Sequence, residues 1–241
     1  MRLDAILVAI ALLLAAGRDA PAQETATDVN IVTGLDVSGS IEAVETRIQV
    51  EGMVMALRSP RVIAAIANGR HGRIGFNVFI WANGARPVFA GWKLIATPAD
   101  ASAAARDLGG ELDALLGSYA ALKLGELTDL SGAIDFGGAM LAAAPFAGSR
   151  SVLNILGNGI DNVGGGPRPS RDLLVAQGVT VNGVVIGHDR GVFRYFRNEV
   201  TGGPGAFVLA ARDAEMLVEV LERKFVTEIA FNPDGAPYPP R

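Results

Sequence analysis

Short runs of β-branched and apolar residues alternate along this chain with longer stretches whose apolar residues recur at helical spacing, and few architectures accept that alternation. Val29, Ile31, Val32 and Leu35 read as a buried strand, and Ile41, Val44, Ile48 and Met55 follow at the spacing of a helix ending near "RSPRV". "RIGFNVFIWA" gives a strand over roughly residues 73 to 81, with "ARPVFAGWKLI" as a shorter neighbour. Residues 98 to 117 form a helix opened by Pro98 and acidic residues and carried by Leu108, Leu112, Leu115 and Leu116. "TDLSGAIDFGGAMLAAAPF" starts another, with small residues that allow close approach to a sheet. "SVLNIL" is a buried strand, "RDLLVAQG" a short helix ended by Gly178, and "VTVNGVVIG" a further strand. "GAFVLA" supplies the last strand, and "DAEMLVEVLERKF" the last helix, capped by Asp213.

Strands and helices in this order predict an α/β fold: a doubly wound, mostly parallel, Rossmann-like sheet with helices on both faces. Aromatics make up only 6% of the chain, which suits Ala-, Gly- and Val-rich helices packed close to the sheet. The chain contains no cysteine, so disulfides, thiolate metal sites and a cysteine nucleophile are excluded.

The amino terminus reads as a secretory signal. Arg2 precedes the apolar run "AILVAIALLLAAG", and "APA" precedes Gln23. The expected organisation is therefore a signal peptide over residues 1–22, one domain over 23–230 and a Pro-rich tail over 231–241. The apolar run is short for a bilayer span, so the expectation is a periplasmic or secreted protein with no stable membrane span after cleavage. Cleavage removes Arg2 and Arg18 with Asp4 and Asp19, so the formal charge of −4 is kept. That charge argues against nucleic acid as a partner.

Polar residues gather at one strand-to-helix turn, "DVSGS", where Asp36, Ser38 and Ser40 follow the first strand. In an open α/β sheet such turns stand at the carboxyl ends of strands, where binding crevices form. Serine and aspartate there also serve as helix caps, and Glu42 and Glu45 suit the positive end of a helix dipole. Both readings of the turn stand on these residues alone.

The pattern D-x-S-x-S, with Thr128 in "LTDLSGAID" and a third loop at "LNILGNGIDN", resembles the von Willebrand factor type A domain family. The likeness extends over roughly residues 28 to 228. "DVSGSI", "TDLSGAIDF" and "GGPGAFV" are similar, more narrowly, to a bacterial group of exported proteins of unknown function that carry this domain. The resemblance implies a metal-ion-dependent adhesion site in which Ser38, Ser40 and Thr128 are inner ligands and Asp36 holds water or hydroxyl groups around the ion. Asn158 stands where an Asp is expected, as does Asn154. Mg²⁺ or Mn²⁺ is the implied cation, since small hard cations prefer oxygen ligands. Asn158 offers it a neutral oxygen without charge, so the expected binding is weakened. The ion's open position implies a protein partner presenting Asp or Glu.

The expected function is thus a non-enzymatic binding module. Two alternatives remain: a periplasmic hydrolase using the same end of the sheet with His188, and a metal-free interaction scaffold. His71, in "NGRHGR", reads as a solvated turn. The chain has no G-x-S-x-G elbow, and no phosphate-binding glycine motif stands at a strand-to-helix turn. "NGIDNVGGG" lacks the spacing and closing Glu of an EF-hand, although Asp161 is a candidate source of charge for the third loop. In "GVFRYFRNEV", Phe193, Tyr195 and Phe196 alternate with Arg190, Arg194 and Arg197. This segment either covers the sheet edge or flanks the site as an interface.

Overall fold

The computed structural model describes residues 25–117 and 124–231, so the expected signal peptide over 1–22 and the expected tail beyond Phe231 lie outside the described residues. A seven-stranded sheet forms the centre, built from β2 (Val29–Asp36), β3 (Ile74–Trp81), β4 (Ala85–Pro87), β5 (Lys93–Ile95), β7 (Ser151–Gly157), β8 (Val179–Ile186) and β9 (Val208–Ala211). Its order is β4-β3-β2-β7-β8-β9, with β5 also paired to β3. β2, β3, β7, β8 and β9 run parallel, whereas β4 and β5 are antiparallel to β3. A separate parallel pair joins β1 (Thr25–Thr27) to β6 (Phe146–Gly148).

Every residue of β2 and β3 is buried, which is why these strands read as apolar runs without alternation. One face is covered by α1 (Ala43–Arg58), α2 (Pro60–Ala67), α3 (Pro98–Gly117) and α7 (Ala214–Ala230), around Ile31, Leu35, Phe76 and Val78. The other is covered by α4 (Leu130–Ala142), α5 (Arg168–Ala176), α6 (Arg190–Tyr195) and the π-helical turn Phe196–Val200, around Val32, Phe79, Leu153 and Ile155. The doubly wound architecture is thus present.

Several local expectations are refined. "ARPVFAGWKLI" forms two short strands rather than one, because each pairs with a different end of β3. The first helix is interrupted at Ser59, whose hydroxyl accepts from the Arg61 amide (3.1 Å) while Pro60 opens α2. Its buried face also differs. Val44 and Met55 are exposed, and Thr46, Gln49, Val50, Met53, Ala56 and Leu57 point inward. Gln49 is drawn in because its amide donates to the Asp36 carbonyl at 3.2 Å, fastening the helix to the end of β2.

The last helix is tied to the sheet by polar groups. Glu228, 2% exposed, accepts from the Asn182 amide at 2.6 Å and the Asn154 amide at 3.2 Å, and pairs with the fully buried Lys224. Burial, opposed by Glu228, holds the Lys224 ammonium below its usual pKa. No described helix is long and apolar enough to cross a membrane.

Candidate functional site

The parallel strands all end on one side of the sheet, and β2 delivers Asp36 there. Its side chain is fully buried. Oδ1 accepts from the Ser38 amide at 2.8 Å, and Oδ2 has no hydrogen-bond partner. Burial pushes this carboxyl from 3.8 up to about 6, with Ser38 and the Asn158 backbone amide partly offsetting and Glu45 reinforcing the rise. The space beside Oδ2 depends on Gly157, where a Cβ would stand 3.0 Å from Oδ2, 3.3 Å from the Trp81 ring and 3.4 Å from Phe196.

The turn after Asp36 does not serve as a helix cap. Helix α1 begins only at Ala43, with Glu42 as its N-cap and the Glu45 carboxylate accepting from the Glu42 amide at 2.8 Å. The serine hydroxyls are left for one another and for neighbouring loops. Ser38 Oγ lies 3.3 Å from Ser40 Oγ and 3.5 Å from Thr128 Oγ1. Ser40 donates to Asn158 Oδ1 at 2.7 Å, while Asn158 Nδ2 donates back to the Ser40 carbonyl at 3.1 Å. Asp36, Ser38, Ser40, Thr128 and Asn158 therefore gather at one place from three loops.

Thr128 is positioned by Asn162, a residue that sequence reading left without a role. Asn162 Oδ1 accepts from the Thr128 amide at 2.7 Å, and the Asn162 amide donates to the Thr128 carbonyl at 3.0 Å. Asp161 faces the start of α4, where it accepts from the Leu130 amide at 2.9 Å, and from the Gly164 amide at 3.1 Å. Its carboxylate is a brace for the loop rather than a member of the cluster. Gln49, Trp81 and Gly157 were also missed: nothing local marks them, since each matters only through what the fold sets beside Asp36.

Other candidates lie elsewhere. Asn154 is mid-strand in β7, and its amide donates to Thr33 at 3.3 Å and to Glu228, away from the cluster. His71 is half-buried in the turn before β3, where its amide donates to Asp28 (2.8 Å), at the opposite end of the sheet. His188 is exposed at the same end as the cluster, but among the described residues no hydrogen bond joins it to those side chains. The arginine-aromatic segment does flank the crest: Phe196 is fully buried against Gly157, and Arg190, Arg194 and Arg197 are exposed.

The donor set suits a hard divalent cation by type. Three hydroxyls stand with one carboxylate whose second oxygen is buried and unpartnered. It does so with little charge, since among the described residues no group of three His, Cys, Asp or Glu converges.

A family model described as a protein of unknown function (DUF1194) matches residues 26–233. No curated protein matches by sequence. Among solved structures, a von Willebrand factor type A protein from Catenulispora acidiphila aligns over 85% of this chain and 43% of its own, at 18% identity and a TM-score of 0.58. Proximal thread matrix protein 1 from the mussel byssus, solved with a zinc-occupied metal-ion-dependent adhesion site, aligns over 86% of this chain and 49% of its own, at 18% identity and a TM-score of 0.55. The conserved hypothetical protein BatB from Bacteroides thetaiotaomicron aligns over 84% of this chain and 98% of its own, at 14% identity and a TM-score of 0.53. The chain spans less than half the length of the first two. The fold is that of a von Willebrand type A domain.

Proposed function

This chain belongs to the DUF1194 family of unknown function, and we propose that it acts as an exported, non-enzymatic binding module. Its crest holds Mg²⁺ or Mn²⁺ through Ser38, Ser40 and Thr128 and captures an acidic group of a protein partner. The observation that carries this reading is Asp36 Oδ2, a buried carboxylate oxygen without a hydrogen-bond partner on the residue that opens the turn of Ser38 and Ser40, whose hydroxyls meet that of Thr128. Burying such an atom without compensation is costly, and a cation offsets the cost. When bound, the ion supplies an electrophilic position for an incoming carboxylate. Asp36 supplies the charge, the hydroxyls supply neutral oxygens, and the Asn158 amide holds the Ser40 loop in place.

Calorimetric titration with Mg²⁺ and Mn²⁺ tests the proposal. The expected result is weak binding that Asp36→Ala abolishes and that Ser38→Ala or Thr128→Ala reduces in folded protein. Equal heats from all four proteins overturn it. Export is part of the same reading, with residues 1–22 removed, 23–230 as the domain and 231–241 as a tail. Amino-terminal sequencing of protein recovered from the periplasm or medium should begin at Gln23, and an intact Met1 in the cytosol refutes it.

The two-point pairing of Asn158 with Ser40 favours a second reading. It ties two crest loops together without an ion, so the crest also suits a metal-free scaffold. Capture of partners that is indifferent to chelator would select this reading.

A further inference from the structure

Four of the large apolar side chains left exposed stand on the segments that carry the polar cluster: Val44 (55%) in the first turn of α1, Leu127 (45%) before Thr128, and Ile160 (51%) and Val163 (46%) after Asn158. The loop bearing Ile160 and Val163 runs from the cluster to α5 and passes the end of α6, where the Tyr195 hydroxyl lies 3.8 Å from the place a Cβ on Gly166 would occupy. One residue later, Phe196 packs beside Gly157 beneath the crest. Helix α6 is thereby anchored beside the loop that completes the site.

The outward side of this segment is cationic. Val192 and Phe196 are buried, while Arg190, Arg194 and Arg197 are exposed and follow one another at intervals of four and three, the spacing of a single helical stripe. The stripe extends over about 10 Å at helical rise. Neighbouring arginines are committed to the fold. Arg168 forms a two-point pair with Glu199 (2.8 and 2.7 Å), and Arg171 bonds the Thr201 carbonyl and Asp172. Arg190 and Arg194 have no such partner among the described residues, and Arg197 reaches only the side chain of adjacent Asn198 at 3.5 Å. The carboxylates near in sequence are engaged too: Asp189 caps α6, accepting from the Gly191 and Val192 amides, and Glu199 is held by Arg168, while Asp161 braces the loop. A chain of net charge −4 thus concentrates three uncommitted cations beside its candidate site.

We propose that Arg190, Arg194 and Arg197, with Ile160 and Val163, form a second subsite, one that takes an acidic stretch of a polypeptide whose leading carboxylate sits at the hydroxyl cluster. This rests on the adhesion-site reading and adds the partner's chemistry: several acids interspersed with apolar residues, not a lone carboxylate. Arginine is enriched at binding hot spots, and contacts around a hot spot serve to exclude water; the arginines carry the recognition and Ile160 and Val163 the exclusion. Flanking charges act chiefly on association rate and its salt dependence.

A display library of random short peptides, selected on the full chain in Mg²⁺, tests this. Selected peptides should be enriched in Asp and Glu at several positions with apolar neighbours. Against Arg190→Glu/Arg194→Glu protein, and more mildly against the corresponding alanine variant, they should bind about tenfold more weakly at low salt, with the difference shrinking at high salt. Ser38→Ala protein should lose Mg²⁺ dependence yet keep salt-sensitive residual binding. If arginine reversal leaves affinity and selected composition unchanged, or if acids are not enriched, the subsite is overturned. If reversal weakens binding while chelator and Ser38→Ala do nothing, the metal reading fails and the arginine subsite stands.

Discussion

Asp36 is where the proposed ion site and the stability of the fold oppose one another. The unfolded chain ionises it near 3.8 and the folded protein near 6, so between those values the fold holds a proton that the unfolded chain has released. Stability therefore falls as pH rises through this window and stays lowered above it, by about 3 kcal/mol in order of magnitude. In chelated protein, Asp36→Asn should raise stability at neutral pH by about 1–3 kcal/mol and change little below pH ~4, while abolishing ion binding. Urea denaturation at the two pH values measures it, and a loss of stability at both refutes it. Asn158→Asp should act in the opposite sense. It removes the amide donation to the Ser40 carbonyl (3.1 Å) and adds a second carboxylate near Asp36. We expect chelated protein to lose about 1 kcal/mol and Mn²⁺ affinity to rise about tenfold. Unchanged affinity would mean that residue 158 does not face the ion.

Among the elements, α4 shows why small residues matter. A Cβ on Gly137 would stand 2.3 Å from Leu153 Cδ1, and one on Gly138 would stand 2.5 Å from Leu174 Cδ2. Leu153 is fully buried in β7 and cannot give way without disturbing the sheet. Gly→Ala within a helix ordinarily gains about 1 kcal/mol. Here Gly137→Ala should instead cost about 1–3 kcal/mol through overpacking, as read by chemical denaturation, and stabilisation would disprove the close approach. This placement also bears on the crest, because α4 starts two residues after Thr128 and any retreat of the helix carries that hydroxyl with it. The small-residue pattern of "SGAIDFGGAMLAA" made the helix and its close packing readable in sequence. Its neighbour α1 was readable as a helix but not in its orientation, because Gln49 faces inward for a hydrogen bond made across the fold.

At the scale of the whole molecule, Lys224 and Glu228 hold the last helix against β7 and β8. Removing one partner leaves a buried charge unpaired, so Glu228→Ala should cost about 3–5 kcal/mol, and Lys224→Met/Glu228→Gln should restore most of that loss. Denaturant titration of the single and double variants measures the coupling. Additive losses would show that the pair is not energetically linked.

The chain by itself determined the alternating order of elements, the buried strands and the gathering of hydroxyls at one turn, because apolar periodicity and local turn chemistry act between near neighbours. Asp36, Ser38 and Ser40 were visible as a cluster for the same reason. Tertiary structure decided what each polar side chain faces. It set Asn158 against Ser40 while Asn154, four residues earlier on the same loop-bound strand, went to Glu228. It turned Asp161 toward the start of α4, and it placed Trp81 and Phe196 beneath Asp36. These contacts join residues far apart in sequence, and their strength depends on burial that exists only once helices have closed over both faces of the sheet.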